Sequence, residues 1–195
     1  MTMWHAQRAS VFCYGLGLAV GAIGSGCVND HDPGAGEESA SAAITIDVNA
    51  GYTVTGVDSN KCVGVAGAST ASNARLDIET CNGTASQRFH PEAMGGGFFR
   101  LRNELSGLCA DVLGASTTAG ALVIQFACGT GQNQQWSFTD VAGGAERITV
   151  RHSGEVLDVT GRGTADGTQL EQWPSNNGAN QQFRMATALT PRPPE

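Results

Sequence analysis

The chain has 195 residues, which is enough for one ordinary domain with tails. Only 15% of the residues are charged, the formal net charge is -7, and Lys61 is the single lysine. Such an acidic chain lacks the basic patch that phosphate backbones require, which argues against nucleic acid as a partner. The 27 glycines punctuate short runs of Val, Ile, Leu and Thr, a pattern that predicts many short strands joined by turns.

Residues 1–26 are organised like an export signal. One positive charge, Arg8, precedes a mostly apolar stretch over residues 9–23, and the small residues 24–26 follow. This stretch is shorter than the roughly 20 residues that a membrane-spanning helix needs. We therefore expect cleavage rather than a retained membrane anchor.

Cys27 follows directly after these small residues. A cysteine in this position resembles the lipobox of bacterial lipoproteins, in which the cysteine is lipidated and becomes the new N-terminus. Gly24 departs from the leucine that is usual three residues earlier, and the alternative is an ordinary secretory signal that leaves Cys27 as a free thiol. Val28 lacks the aspartate that retains some lipoproteins at the inner membrane, so lipidation would place the protein at the outer membrane or cell surface.

Three further segments are distinguished by composition. Residues 27–43 are rich in acids, glycine and serine and hold almost nothing to bury, which predicts a disordered linker. The globular domain is predicted over residues 44–185. The proline-rich residues 186–195 are predicted to form a disordered tail.

The domain contains a 28-residue block three times, starting at residues 62, 109 and 156. The starts are 47 residues apart and the alignment needs no gap; ten of the 28 positions match between the second and third copies. Short strands are expected in the second copy near residues 98–101, 109–113, 122–126 and 135–138, and at the same places in the other copies. A unit of 47 residues cannot bury its own apolar face. We therefore predict an all-β domain of twelve strands that closes about a pseudo-threefold axis.

Four cysteines of the domain recur at two equivalent positions of the block. The pairs Cys62 with Cys81 and Cys109 with Cys128 each span 19 residues. We predict that each pair forms a disulfide, which contributes about 3 kcal/mol in the loop-entropy model. Zinc is the other use of four cysteines, but no Cys-x-x-Cys pair or nearby histidine supports it. The third copy has Val156 and Ser175 at these positions, so it depends on packing.

Each copy ends on glutamine, any residue and an aromatic, as in Gln134-x-Trp136. Together with the Cys-x-Asp-Val element at residues 109–112 and the Gly-x-Asn-Gln ending, this pattern resembles the ricin-B-type β-trefoil lectins and related carbohydrate-binding modules of bacterial glycosidases. The resemblance covers about 140 residues and implies a β-trefoil. We expect the closing aromatic to be a core residue and its glutamine to satisfy buried backbone groups.

In that family a carboxylate, a polar residue 13 positions on, an aromatic 15 positions on and a later asparagine form a shallow sugar pocket. The third copy retains this set best, with Asp158, Glu171, Trp173, Asn180 and Gln181. Glu171 replaces the usual glutamine, which keeps the acceptors but loses the donor. A flat aromatic face beside clustered hydrogen-bonding groups suits a pyranose ring. The resemblance implies galactose-like or xylan-type sugars.

The other two copies depart further from this set. The second copy keeps Asp111, Phe126, Asn133 and Gln134, but Ile124 fills the polar position and cannot hydrogen-bond. In the first copy Gly64, Glu79 and Ser86 replace the aspartate, the aromatic and the asparagine, which predicts a purely structural role for that copy. The alternative for the retained residues is that the aspartates cap turns and Trp173 packs against its neighbours.

We predict no catalytic set, metal or cofactor. His90 and His152, the two histidines of the domain, occupy non-equivalent positions and fit no Ser/His/Asp order or metal spacing. Asp158 and Glu171 are similar to a glycosidase pair, but pockets of the resembled family bind sugars without cleaving them. The favoured function is a non-catalytic lectin. The alternatives are a protein-interaction or inhibitor trefoil with relic sugar pockets and, less favoured, part of a glycan-degrading enzyme.

Overall fold

A computed structural model describes residues 45–188. The predictions for the export signal, Cys27, the linker and residues 189–195 lie outside this range. Within it the chain forms twelve strands, four in each repeat, as predicted. The strands are β1 (Tyr52–Gly56), β2 (Cys62–Val65), β3 (Leu76–Glu79), β4 (Phe89–Gly95), β5 (Phe98–Asn103), β6 (Cys109–Val112), β7 (Val123–Phe126), β8 (Trp136–Val141), β9 (Ala145–Val150), β10 (Val156–Val159), β11 (Thr168–Trp173) and β12 (Phe183–Thr187). The last strand thus ends two residues beyond the predicted end of the domain.

Short connections join these strands. Six single-turn 3₁₀ helices follow the strands or precede the closing aromatics: Ala66–Ala68, Ala85–Gln87, Leu113–Ala115, Gln132–Gln134, Thr160–Arg162 and Ala179–Gln181. Within residues 45–188 no helix has the length and apolar character needed to cross a membrane.

Six strands close into a barrel. β1 pairs with β12, β12 with β9, β9 with β8, β8 with β5, β5 with β4, and β4 with β1, and every pair is antiparallel. The remaining strands form three hairpins, β2–β3, β6–β7 and β10–β11, which contact one another through the β3–β11 pairing and two isolated bridges. A closed ring capped by three hairpins is the β-trefoil architecture, so the predicted fold class is confirmed.

The core repeats with the same 47-residue period. Phe89, Trp136 and Phe183, the closing aromatics of the three blocks, are at most 2% exposed, which confirms their predicted core role. Trp136 is the largest of the three, and its indole N–H donates a hydrogen bond to the Ala110 carbonyl oxygen at 3.2 Å. The small Ala110 stands where the other repeats have Val63 and Leu157, so the bulkier ring fills space that the smaller side chain leaves.

Both predicted disulfides are present. Cys62 and Cys81 have Cα atoms 5.0 Å apart, and Cys109 and Cys128 have Cα atoms 5.1 Å apart. Each bond ties the start of a hairpin to the loop that follows it within one repeat.

Buried glutamine side chains join neighbouring repeats. Gln172 Nε2 donates to the carbonyl oxygens of Ser116 (2.8 Å) and Thr118 (3.0 Å) in the second repeat. Gln125 makes the equivalent pair of bonds to the first repeat, at 2.9 and 2.8 Å. The first repeat has Ile78 at this position, and there the third repeat is linked instead by an ion pair between Lys61 Nζ and Asp166 Oδ1, 2.6 Å apart.

Candidate functional site

The β10–β11 hairpin brings the predicted residues of the third repeat together. Asp158 lies directly opposite Glu171 in the antiparallel register. Trp173 is two residues further along β11 and therefore shares the face of Glu171, whereas Gln172 points to the other side and is fully buried. The spacing of 13 and 15 residues from the aspartate thus places three side chains on one surface.

The carboxylate of Asp158 is held in position by two amides. Asn180 Nδ2 and Gln181 Nε2 both donate to Asp158 Oδ2 at 2.7 Å. Gln181 also holds the preceding loop, because it donates to the Pro174 carbonyl oxygen (3.1 Å) and accepts from the Asn176 amide (2.8 Å). This confirms the predicted structural role of the glutamine, and neither bond to Asp158 uses Oδ1, which stays available to a ligand.

Asp158, Glu171, Trp173 and Asn180 line one open pocket of about 250 Å³. Gln181, which is 1% exposed, does not line it and acts on the pocket through Asp158. Two further lining side chains, Arg162 and Asn176, were missed by sequence reasoning. Gly161 and Arg162 adopt consecutive left-handed conformations, with φ of +61° and +57°, and glycine favours the first of them. The glycine shared by all three blocks at this place signals the turn, but no local pattern indicates that the next side chain borders the pocket.

Trp173 presents its indole to solvent, with 42% of the residue exposed. Its ring lies against the second repeat, since a β-carbon at Gly120 would be 3.4 Å from the indole Cζ3 atom. The Gly120 amide also donates to the Gln172 carbonyl oxygen at 2.8 Å. The neighbouring repeat therefore supports the ring from one side and leaves an exposed apolar surface beside two carboxylates.

Burial raises the pKa values of both carboxylates above their ordinary range. For Asp158, desolvation has the largest effect on the pKa, and the amide bonds from Gln181 and Asn180 and the charge of Arg162 oppose it. For Glu171, desolvation and the nearby Asp158 charge raise the pKa, and the Thr160 hydroxyl lowers it. Because burial removes hydrogen bonds between these carboxylates and water, it favours binding of a ligand whose hydroxyl groups donate to them.

The second repeat keeps the same frame with an apolar wall. Asn133 Nδ2 and Gln134 Nε2 donate to Asp111 Oδ2 at 2.9 and 2.7 Å. Ile124 lies opposite Asp111 in the register, as the sequence implied. Phe126 borders this pocket with 42% of its surface exposed. The predicted residues of this repeat are therefore assembled, but the polar partner across the hairpin is absent.

In the first repeat a different side chain occupies the place of the missing aspartate. A β-carbon at Gly64 would lie 3.0 Å from Glu79 Oε2, and Gln87 Nε2 donates to that same oxygen at 3.2 Å. Glu79 thus accepts the bond that the aspartate accepts in the other repeats. Sequence alignment assigned Glu79 to the aromatic position and so gave no signal of this exchange.

The chain belongs to the family of ricin-type β-trefoil lectin domains, whose model matches residues 50–186. No curated protein matches the chain. Among solved structures, the designed threefold-symmetric protein ThreeFoil is 35% identical, with a TM-score of 0.68, and the match covers 71% of this chain and 98% of that one.

Two natural proteins extend the comparison. An exo-β-1,3-galactanase from Clostridium thermocellum is 32% identical with a TM-score of 0.70; the match covers 73% of this chain but only 31% of the enzyme. The ricin B-like lectin of Macrolepiota procera, solved in complex with lactose, shares the fold at 18% identity and a TM-score of 0.65, covering 74% of this chain and 99% of the lectin.

Proposed function

We propose that this protein is a non-catalytic lectin whose principal sugar site is the pocket of the third repeat. The exposed indole of Trp173 beside the fixed carboxylate of Asp158 carries this proposal. The indole face covers the apolar side of a pyranose ring, and Asp158 Oδ1 accepts a hydrogen bond from a ring hydroxyl. Because the amides of Asn180 and Gln181 already hold the carboxylate, binding needs little ordering of the site.

The sugar class that we propose is galactose-like or xylan-type. Glu171 and Asp158 face each other across the hairpin, so adjacent hydroxyl groups can donate to both carboxylates. Arg162 at the rim supplies donors that Glu171 lacks. The 32% identity to a segment of a β-1,3-galactanase supports the galactose-like choice. One shallow site of this kind is expected to bind with a Kd on the order of 1 mM, or about -4 kcal/mol.

The arrangement of the carboxylates favours binding over hydrolysis. Glycosidases place two carboxyl groups on either side of the scissile bond. Asp158 and Glu171 are cross-strand neighbours on one hairpin, so both reach the ligand from the same side. Asp158 is also occupied by two amide donors on one oxygen.

A glycan array tests the proposal directly. We expect the purified protein to bind galactosides or xylan fragments, and we expect Asp158→Ala to abolish that binding while the protein stays folded by circular dichroism. Asp111→Ala, the matched change in the second repeat, is expected to leave most of the signal. A well-folded protein that binds no glycan would instead favour an interaction or inhibitor trefoil, and release of reducing sugar from polysaccharides would favour an enzyme.

We further propose that the lectin is exported and attached to a membrane by lipidated Cys27. The two disulfides support export, because such bonds persist in oxidising compartments. Many anchored copies on one surface would strengthen a millimolar site through effective concentration. Metabolic labelling with an alkyne fatty acid is expected to mark the wild type and not Cys27→Ser, whereas label-free secreted wild-type protein would contradict the anchor.

A further inference from the structure

The first repeat carries an open pocket of about 470 Å³, here called the acidic pocket, whose lining includes Asp77, Glu79, Thr80, Asn82 and Asp166. Two of its carboxylates come from β3 and the third comes from the third repeat. The pairing of β3 with β11, in which Thr168 lies opposite Ile78, brings the loop that contains Asp166 across the boundary between the repeats.

The three carboxylates occupy positions that are not acidic together in the other repeats. The residues equivalent to Asp77, Glu79 and Asp166 are Ile124, Phe126 and Ser72 around the second-repeat pocket, and Glu171, Trp173 and Ala119 around the third-repeat pocket. All three positions differ in charge from the second repeat, and two of them differ in charge from the third repeat, where Glu171 is also acidic. A solvated acidic surface gives no reason for carboxylates from two repeats to meet in one pocket.

Asp77 is the buried member of this group. It is only 6% exposed, and its Oδ1 atom has no hydrogen-bond partner among the described residues. Burial, together with the charges of Glu79 and Asp166, raises the pKa of Asp77 to about 6. A buried carboxylate with one oxygen lacking a partner is destabilising, and a cation bound beside the carboxylate would reduce that penalty.

The pocket has more negative charge than the protein itself neutralises. Lys61 pairs with Asp166 at 2.6 Å. Glu79 accepts a bond from the neutral amide of Gln87. Within residues 45–188 neither Asp77 nor Glu79 forms an ion pair with a basic side chain. The carboxylates of β3 are therefore open to an external cation.

The acceptors that line the pocket suit an organic cation. Among the described residues no three His, Cys, Asp or Glu side chains are grouped closely enough to hold a metal. A primary ammonium has three N–H donors that reach separate acceptors. The Asn82 amide at the rim can donate to a hydroxyl group, whereas the Thr80 hydroxyl already donates to Asp166 and accepts from Lys61. We propose that the acidic pocket binds a sugar that carries a free amine, with its ammonium group between Asp77 and Glu79.

This site is separate from the third-repeat site and takes a different class of ligand. The test is a titration of the ¹⁵N-labelled full-length chain, followed by amide chemical shifts. Glucosamine is compared with N-acetylglucosamine, which lacks the charge, and with glucose, which lacks the amine. We expect glucosamine alone to shift the amides of residues 64–82 and 166–167. An equal response to all three sugars, or no response in these residues, would overturn the proposal.

Variants then test the carboxylates. Asp77→Asn and Glu79→Gln keep the shape of each side chain, and each is expected to weaken glucosamine binding by roughly tenfold, because each removes one charge-assisted bond. Glu79→Gln serves alone if Asp77→Asn does not fold. Trp173→Ala is expected to leave the chemical shifts caused by glucosamine unchanged. The experiment therefore distinguishes a wrong assignment of the third-repeat site from a wrong assignment of the acidic pocket.

Three competitor ligands define the class of ligand. Calcium that displaces glucosamine at lower concentration would identify a metal site and refute the amine assignment. Methylamine and a lysine-containing tripeptide carry the ammonium without the sugar ring. Binding of either as tightly as glucosamine would refute the sugar, whereas weaker binding of both supports it.

Discussion

Replacing Trp173 by alanine removes the apolar face of the proposed third-repeat site. The residue is 42% exposed, and an indole side chain has about 250 Å² of surface, so about 100 Å² faces solvent. A sugar that covers one face removes about half of that, or about 50 Å². At about 25 cal/mol per Å², this burial contributes about 1.3 kcal/mol.

A loss of about 1.3 kcal/mol corresponds to roughly tenfold weaker binding. We expect Trp173→Ala to raise the Kd for a methyl galactoside or a xylan fragment from about 1 mM to about 10 mM, measured by ¹⁵N chemical shifts of the third-repeat amides. The folded state is expected to change little, because the ring is not in the core.

Leu105→Ala is the matched control, since Leu105 is 43% exposed and lies on the turn between β5 and β6. Trp173→Phe keeps a smaller aromatic face and is expected to fall between the wild type and the alanine variant. If Trp173→Ala binds as well as Leu105→Ala does, the indole does not cover the sugar and the reasoning from its exposure is wrong.

Three further predictions concern stability, each measured by urea denaturation. Burial and Asp140 raise the pKa of Glu146 from 4.5 to about 7, so ionisation of Glu146 destabilises the fold increasingly as the pH rises from about 4.5 to 7. Glu146→Gln is therefore expected to be more stable than wild type by up to about 3 kcal/mol at pH 8 and equal to it at pH 4. The same stability difference at both pH values would contradict this reasoning. Removal of the Cys62–Cys81 disulfide by a double serine change is expected to cost about 3 kcal/mol, and unchanged stability would show that the loop constraint contributes nothing. Gln172→Leu removes two side-chain hydrogen bonds to the second repeat and the acceptor of the Ser153 hydroxyl; it is expected to cost about 2–3 kcal/mol, whereas the same change at the exposed Gln132 is expected to have little effect.

The third-repeat site shows how far local pattern reaches. Asp158, Glu171 and Trp173 belong to one hairpin, and strand alternation alone places them on one face. Asn180 and Gln181 follow within the same block, and the structure brings all five together. Arg162 also borders this pocket because it lies in a left-handed turn. The periodicity of strands does not predict the direction of a side chain in such a turn.

The first repeat shows where pattern reasoning ends. Alignment assigned Glu79 to the aromatic position, yet its longer side chain reaches the space over Gly64 and bonds Gln87. Asp166 reaches the same pocket from the third repeat. The expectation that this repeat is purely structural considered only the residues of its own block, and so it did not include the third carboxylate.

The sequence by itself determined the period, the twelve strands, the two disulfides and the aromatic core, because each depends on spacing within one 47-residue unit that is repeated three times. Only the tertiary structure decided which side chains meet across the repeats. Gln172 bonds carbonyl oxygens 54 and 56 residues away, and Lys61 pairs with Asp166 from the opposite end of the domain. Such contacts form only when the hairpins close around the axis. They join residues that are far apart in the chain, so no local spacing in the sequence predicts them.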